Sequence, residues 1–271
     1  MDNKKIEPKD DKIWETIREE IKIYAKSEPI LTSFLYETIL NHETLEDALS
    51  FHLANKINYP TVPAMLIREL IKDVIKKDPT IGISVRKDIQ AIRERDPASQ
   101  GYSTPFLYFK GFHALQLYRI SHWLWKNDRK ALALYLQNRI SEEFGVDIHP
   151  ASKIGSGILI DHATSVVIGE TTIIEDNVSL LHEVTLGGTG KEVGDRHPKI
   201  REGVLIGAGA KILGNIEIGK GAKIGSGSVV LSDVPPHHTV AGVPAKIIGK
   251  PKYDQPALMM NHKLHTMNTD D

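Results

Sequence analysis

No cysteine occurs among the 271 residues. That removes disulfides, thiolate metal ligands and a cysteine nucleophile from consideration, and it accords with a reducing, cytoplasmic location. An excess of either charge is also lacking: 34 Lys and Arg against 35 Asp and Glu leave a formal net charge of −1. A global electrostatic footprint for nucleic acid is therefore absent. No apolar run approaches the ~18 residues of a membrane-spanning helix, and the opening MDNKKIEPKDDK carries charge where a secretory signal carries an apolar stretch. Neither nucleic acid nor a membrane is expected as a partner. Glycine, finally, is scarce in the first half: of 21 in the chain, three precede Gly145 and 18 lie between Gly145 and Gly249.

That shift places a boundary near residue 145. Residues 1–12 read as a disordered start, 13–144 as a helical domain with an oligomerising role, 145–248 as a repeat domain and 249–271 as a tail. Within the helical part, Trp14, Ile17, Ile21 and Tyr24 recur at helical spacing. Thr44 with Asp47 three residues on resembles a capping box, Asp replacing the usual Glu. Pro63 suits a first helical turn. The segment IGISVRKDIQAIRERDP should end before Pro97. STPFLYFKGFHALQLYRISHWLWKND and RKALALYLQNRISEEFG predict two long helices with wide apolar stripes, packed on each other and on another subunit.

The second half beats with a period of six. Aliphatic residues stand at Ile148, Ile154 and Ile160. After a step of eight they resume at Ile168, Ile174, Leu180 and Leu186, and after fourteen they run Ile200, Ile206, Ile212, Ile218, Ile224 and Val230. This is the signature of a hexapeptide β-helix: each hexad supplies one short strand and one turn, and three hexads close a triangular coil. Thirteen beats give about four coils. The fourteen-residue step contains GGTGKEVGDRHPK, which a prism must eject as a loop, and such loops concentrate function. At the eight-residue step Asp161 stands where six of the other hexads have Gly, and His162 follows at once.

DIHPASKIGSGILIDHAT, VTLGGTGKEVGDRHPKIREGVLIGAGAKILGN and VPPHHTVAGVPAKIIGKP resemble the serine acetyltransferase family, as do RDPA and YFKGFHALQLYRISHWLW in the helical half. The resemblance covers roughly residues 10–250. It implies an α+β chain: an all-helical N-terminal domain followed by a left-handed parallel β-helix. It also implies trimers of prisms with sites in the clefts between them, pairing into a homohexamer. The implied reaction moves acetyl from acetyl-CoA to the hydroxyl of L-serine, giving O-acetylserine for cysteine biosynthesis.

The family pattern assigns roles residue by residue. His162 is implied as general base, since an imidazole titrates near neutrality, and Asp147 as the carboxylate that orients it. Asp96 and Asp161 would hold the serine ammonium. Arg196 would grip its carboxylate, with His197 beside the hydroxyl and the developing oxyanion. Thr185, Gly188, Ala208, Gly209 and Ala222 are candidates for backbone contact with coenzyme A, and Lys223 for a phosphate. Direct transfer in a ternary complex is expected, because cysteine is absent and Ser165 has no evident activation beyond lying three residues from His162. No metal is expected. L-cysteine, sharing the ammonium and carboxylate of serine, is expected as a feedback inhibitor. A cysteine synthase complex is doubtful, because the chain ends in Asp270 and Asp271 rather than isoleucine.

Blander readings stand beside these. Asp147 can cap a turn at the start of the prism, Asp96 can be an Asp-Pro helix end, and Arg196 can pair with Asp195 or a neighbouring subunit. His149, His237 and His238 read as structural, and Tyr118, Trp123 and Trp125 as packing. Two alternatives keep the fold but change the function: a zinc enzyme of the carbonic-anhydrase type using His162, His182 and His197, and a non-catalytic trimeric scaffold.

Overall fold

A computed structural model describes residues 11–191 and 193–264. Its helical half comprises α1 (Lys12–Ser27), α2 (Thr32–Leu35), α3 (Leu45–Lys56), α4 (Ala64–Lys77), α5 (Thr80–Arg95), α6 (Ser103–Tyr108), α7 (Lys110–Lys126) and α8 (Lys130–Phe144). Trp14, Ile17 and Ile21 are the buried stripe of α1, as their spacing predicts. Asp11 and Lys12, expected in the disordered start, belong to the first helix and its cap. Asp11 caps α1 by accepting from the Trp14 N–H at 3.2 Å and is itself buried against Arg86. Residues 1–10 lie outside the described residues.

Thr44 caps α3 through the Asp47 N–H at 3.1 Å. Only half of a capping box forms, because the shorter Asp47 side chain receives the Thr44 hydroxyl instead of the backbone N–H. Pro63 sits at the N-cap of α4, one position before the first turn. Helix α5 ends at Arg95, as Pro97 requires. The segment 103–126 is not one helix. It breaks at Phe109, whose backbone is extended, and Gly111 then comes against the prism: a Cβ there would lie 2.1 Å from the Ile160 carbonyl oxygen. Helix α7 packs on α8, the pairing expected from their apolar stripes.

Gly145 ends α8 in a left-handed conformation, φ 65°, the usual role of glycine past a helix end. The prism follows at once. Its first face stacks β1 (Val146–Ile148), β4 (Val166–Ile168), β7 (Thr185–Gly187), β10 (Lys211–Leu213) and β13 (Val229–Val230). The second stacks β2 (Lys153–Ile154), β5 (Ile173–Ile174), β8 (Lys199–Ile200) and β11 (Glu217–Ile218). The third stacks β3 (Leu159–Ile160), β6 (Ser179–Leu180), β9 (Leu205–Ile206), β12 (Lys223–Ile224) and β14 (Thr239–Gly242), closed by antiparallel β15 (Ala245–Gly249). All other pairings are parallel and in register, Ile168 on Leu186 and Ile154 on Ile174.

The aliphatic beats point inward: Ile168, Leu180, Leu186, Ile200, Ile206 and Ile212 are all buried. Two further inward residues complete the fifth coil. Val234 bridges Ile218, and Val240 pairs with Ile224. A four-residue step after Val230 hides Val234 from a strict six-residue count. The two halves are joined by a buried ion pair. Asp88 of α5 takes Arg119 Nη2 at 2.7 Å and the Ile158 N–H of the prism at 3.0 Å. Removing one member of such a pair typically costs about 3–5 kcal/mol. Beyond β15 a short helix, α9 (Pro256–Met259), lies on α5 and β9 with Ala257 buried.

Candidate active site

The eight-residue step is a corner between the third and first faces. Asp161–Ser165 bulge outward there, and His162, Ala163 and Ser165 all adopt positive φ (56°, 60° and 61°). Residues other than glycine rarely take this conformation, and where they do it commonly serves a functional geometry. The bulge projects His162 into the open. Its side chain is 74% exposed, with Nε2 3.8 Å from a carboxylate oxygen of Asp161, which is 23% exposed.

The same corner rises through the stack. Glu183 N–H donates to the Thr164 carbonyl at 2.7 Å, Gly209 N–H to the His182 carbonyl at 3.0 Å and Gly227 N–H to the Ala208 carbonyl at 2.7 Å. His182 therefore stands one coil from His162, their rings edge-on at 5.8 Å. Ala208 and Gly209 stand one coil further. Asp96 reaches this corner from the end of α5. Arg95 fastens that end to the prism through Ser179 Oγ at 3.1 Å and Asn177 Oδ1 at 3.3 Å. Asp96 is indeed a helix end, its carboxylate accepting the Ala98 N–H at 2.8 Å, and it is also near enough to act on Asp161. Burial pushes the Asp161 carboxyl up; the His162 charge opposes this and the Asp96 charge adds to it. Two carboxylates so placed favour a cation between them.

The ejected loop builds a different corner, between the first and second faces. Arg196 and His197 both donate backbone N–H groups to Thr171 Oγ1, at 3.0 and 3.1 Å. The His197 ring lies over Gly169, where a Cβ would stand 2.0 Å from the ring. Gly188 is on the same side, its would-be Cβ 3.8 Å from His197 Nε2. Arg196 pairs with Glu170 at 2.6 Å and not with Asp195, which instead pairs with Lys199. The Arg196 guanidinium holds the Glu170 carboxyl below its ordinary range. Burial, with the Arg196 charge, pushes the His197 imidazole down.

The sequence-predicted residues thus fall into two groups. Asp96, Asp161, His162, Ala208 and Gly209 share one corner; Gly188, Arg196 and His197 share the next. Asp147 lies on β1 between them, in a strand rather than a capped turn. One of its oxygens accepts Gln137 Nε2 at 2.7 Å. Among the described residues nothing donates to the other oxygen, and no hydrogen bond joins Asp147 to His162. His162, His182 and His197 do not converge within one protomer, since His197 sits on the other corner; among the described residues no cluster of metal-ligating side chains forms.

Three coenzyme A candidates sit differently from what the sequence implies. Thr185 is within β7, its N–H bonded to the Ala210 carbonyl at 3.0 Å. Ala222 is fully buried, with its N–H on the Gly219 carbonyl and its own carbonyl taking the Leu205 N–H. Lys223 is on strand β12. It is buried, and its Nζ donates to the Lys263 carbonyl at 2.6 Å. Sequence reasoning missed Glu170 and Thr171, whose partners lie 26 residues away. Tyr118 is a packing residue, its hydroxyl bonded to the Ser152 carbonyl, and Trp125 meets His149 edge-on at 5.1 Å.

Residues 13–117 match the model "Serine acetyltransferase, N-terminal", and residues 197–232 match "Bacterial transferase hexapeptide (six repeats)". The serine acetyltransferase of Escherichia coli strain K12 is 59% identical over 256 residues, covering 94% of each chain. The chain belongs to the serine acetyltransferase family. It is accordingly an acyltransferase. A solved serine acetyltransferase in complex with cysteine superposes with a TM-score of 0.92 at 58% identity, over 93% of this chain. The Brucella abortus serine acetyltransferase in complex with coenzyme A does so at 0.88 and 54% identity, over 89% of this chain and 96% of the other. The matched N-terminal region ends inside α7 and the matched repeats begin at His197, so family membership spans both halves of the fold.

Proposed function

We propose that the chain transfers acetyl from acetyl-CoA to L-serine in a cleft made by two prisms. One prism presents the corner of Asp96, Asp161 and His162; its neighbour presents the corner of Arg196 and His197. The observation carrying this reading is the separation itself. Two carboxylates with an exposed imidazole stand on one edge of the prism, and a guanidinium with a buried imidazole stands on the next. An amino acid with both charges needs both edges. The solved relatives with cysteine and with coenzyme A support the ligand classes.

In this reading Asp96 and Asp161 take the serine ammonium, and Arg196 exchanges Glu170 for the serine carboxylate in bidentate fashion. His162 accepts the hydroxyl proton as Oγ attacks the thioester carbonyl. The C–O bond forms, the C–S bond breaks, and the proton passes to the departing thiolate. No acyl-enzyme is needed. Asp147, with one oxygen free of donors among the described residues, orients His162 and stabilises its protonated form. His197 donates to the oxyanion. Pantetheine lies along the corner of Ala208 and Gly209, where the side chains are small. Cysteine competes through the same ammonium and carboxylate contacts. The assembly is a hexamer of paired trimers in the cytoplasm.

The testing experiment follows thiol release from acetyl-CoA with L-serine and with L-homoserine, for the native chain and for His162→Ala. The reading requires serine-dependent release that collapses in the variant. Release that persists in His162→Ala overturns the assignment of the base.

A further inference from the structure

Thr171 reaches no proposed substrate atom, yet the ejected loop converges on it. Its Oγ1 accepts the N–H groups of Arg196 at 3.0 Å and His197 at 3.1 Å. A threonine hydroxyl has two lone pairs and one proton. Both lone pairs are then occupied, and the proton has to go to an acceptor. Two acceptors lie beside it, the Asp195 carboxylate and His197 Nδ1, and among the described residues it is Nδ1 that meets hydrogen-bond geometry, at 2.9 Å. The Thr171 backbone N–H points at the same nitrogen from 3.2 Å. Two donors on Nδ1 leave no place for a hydrogen there, so the network assigns the ring proton of His197 to Nε2. The Thr171 carbonyl in turn takes Lys199 Nζ at 3.1 Å, and Lys199 holds Asp195 at 2.5 Å. One residue on the regular prism thus fastens the loop from Asp195 to Lys199.

We propose that Thr171 is a positioning residue for acetyl transfer: its hydroxyl fixes His197 as an Nε2–H donor and locks Arg196 beside it, so the oxyanion donor and the carboxylate grip are held as one rigid unit. The inference rests on the roles proposed for Arg196 and His197. The physical reason is the sign of the charge that develops. A neutral ring with its proton on Nε2 offers that anion a hydrogen-bond donor. The opposite tautomer offers it a lone pair, which repels. Removing one oxyanion donor outright typically costs about 10²–10³ in rate, and losing only its orientation should cost part of that. Because Arg196 is anchored to the same oxygen, the serine requirement should rise with the rate loss.

Thr171→Val keeps the shape and removes the hydroxyl. It is expected to lower kcat/KM for serine roughly 10–100-fold, short of the about 10²–10³ of a donor lost outright, while KM for acetyl-CoA stays near the native value. Thr171→Ser restores the hydroxyl and is expected to return most of the loss. In a His197→Ala background, Thr171→Val is expected to cost markedly less than in the native chain, because the ring it orients is gone. A merely structural threonine would cost the same in both backgrounds. Should the valine variant not be recovered folded, Thr171→Ala serves the same arm. A folded Thr171→Val enzyme with native serine kinetics, or equal losses in the two backgrounds, overturns the proposal. If Arg196→Ala and His197→Ala themselves leave serine kinetics unchanged, the site assignment beneath it falls as well. If they impair the enzyme and Thr171→Val does not, this inference alone falls.

Discussion

Gly111 of α7 faces the carbonyl of Ile160 so closely that a methyl group on it would lie 2.1 Å from the oxygen, and 3.1 Å from the Cβ of Ala163. Ile160 and Ala163 bracket Asp161 and His162. The helical domain is therefore pressed against the turn that carries the proposed base, and glycine is what permits the approach. The break at Phe109 belongs to the same arrangement, because it frees α7 to start at this contact.

Gly111→Ala should push helix and turn apart. Overpacking of this kind costs about 1–3 kcal/mol, and the displaced turn should lose activity beyond what instability explains. Thermal unfolding and kcat measured on the folded fraction check both effects. Native kcat in a folded variant would mean that the turn keeps its geometry without the helix.

His162→Ala should reduce turnover by roughly 10²–10⁴-fold, the usual share of general-base catalysis. Arg196→Ala should chiefly raise KM for serine, since the guanidinium is assigned to binding and not to proton transfer. Steady-state kinetics at saturating acetyl-CoA separate the two.

Serine binding should weaken as pH falls. Burial raises the Asp161 carboxyl, so it gains a proton at a higher pH than an ordinary carboxylate and loses the charge that holds an ammonium. KM for serine is expected to climb on the acid side of neutrality, and Asp161→Asn, already neutral there, should show a higher but flatter KM. Equal pH slopes in the two proteins would remove Asp161 from the ammonium site.

Acid should also loosen the helical domain. His52 and His113 stack edge-on at 5.0 Å among Phe106, Phe112 and Phe144. Burial pushes them down to about 4 and about 3. A folded pKa below the unfolded value of ~6.5 means that the unfolded chain takes up protons first. The stability held by these neutral rings is complete above ~6.5 and declines as pH falls toward 4 and then 3. The thermal midpoint should drop between pH 7 and pH 5, and a His52→Gln, His113→Gln variant should show a shallower slope.

The parts of the fold that repeat were legible in the sequence, because each hexad carries its own signal. The thirteen beats and the two departures from six reappear as coils, corner bulge and ejected loop, and Gly145 is the C-cap of α8. The fifth coil was not legible: Val234 follows Val230 by four residues, which breaks the count. The split at Phe109 was hidden because apolar periodicity runs through it, and only the Gly111 contact explains it. The site shows the same division. Asp161, His162, Arg196 and His197 stood out by motif, and the structure places them on exposed or loop-built corners. Thr171 and Glu170 carry no local pattern, since their roles come from side chains 26 residues away. The burial of Lys223 was not legible, because a hexad looks the same whether its lysine meets solvent or, as here, the carbonyl of Lys263.

The central claim is that His162 and His197 of one protomer serve different sites, each completed by a neighbour. Subunit mixing tests it most directly. His162→Ala and His197→Ala chains, each nearly inactive alone, are co-expressed with distinct tags and the mixed oligomers are purified. With random mixing in a closed ring, about a quarter of the clefts receive both intact corners, so activity should rise to about that share of the native enzyme. Mixed oligomers no more active than the two parents would contradict the account, because every site would then draw both histidines from a single chain.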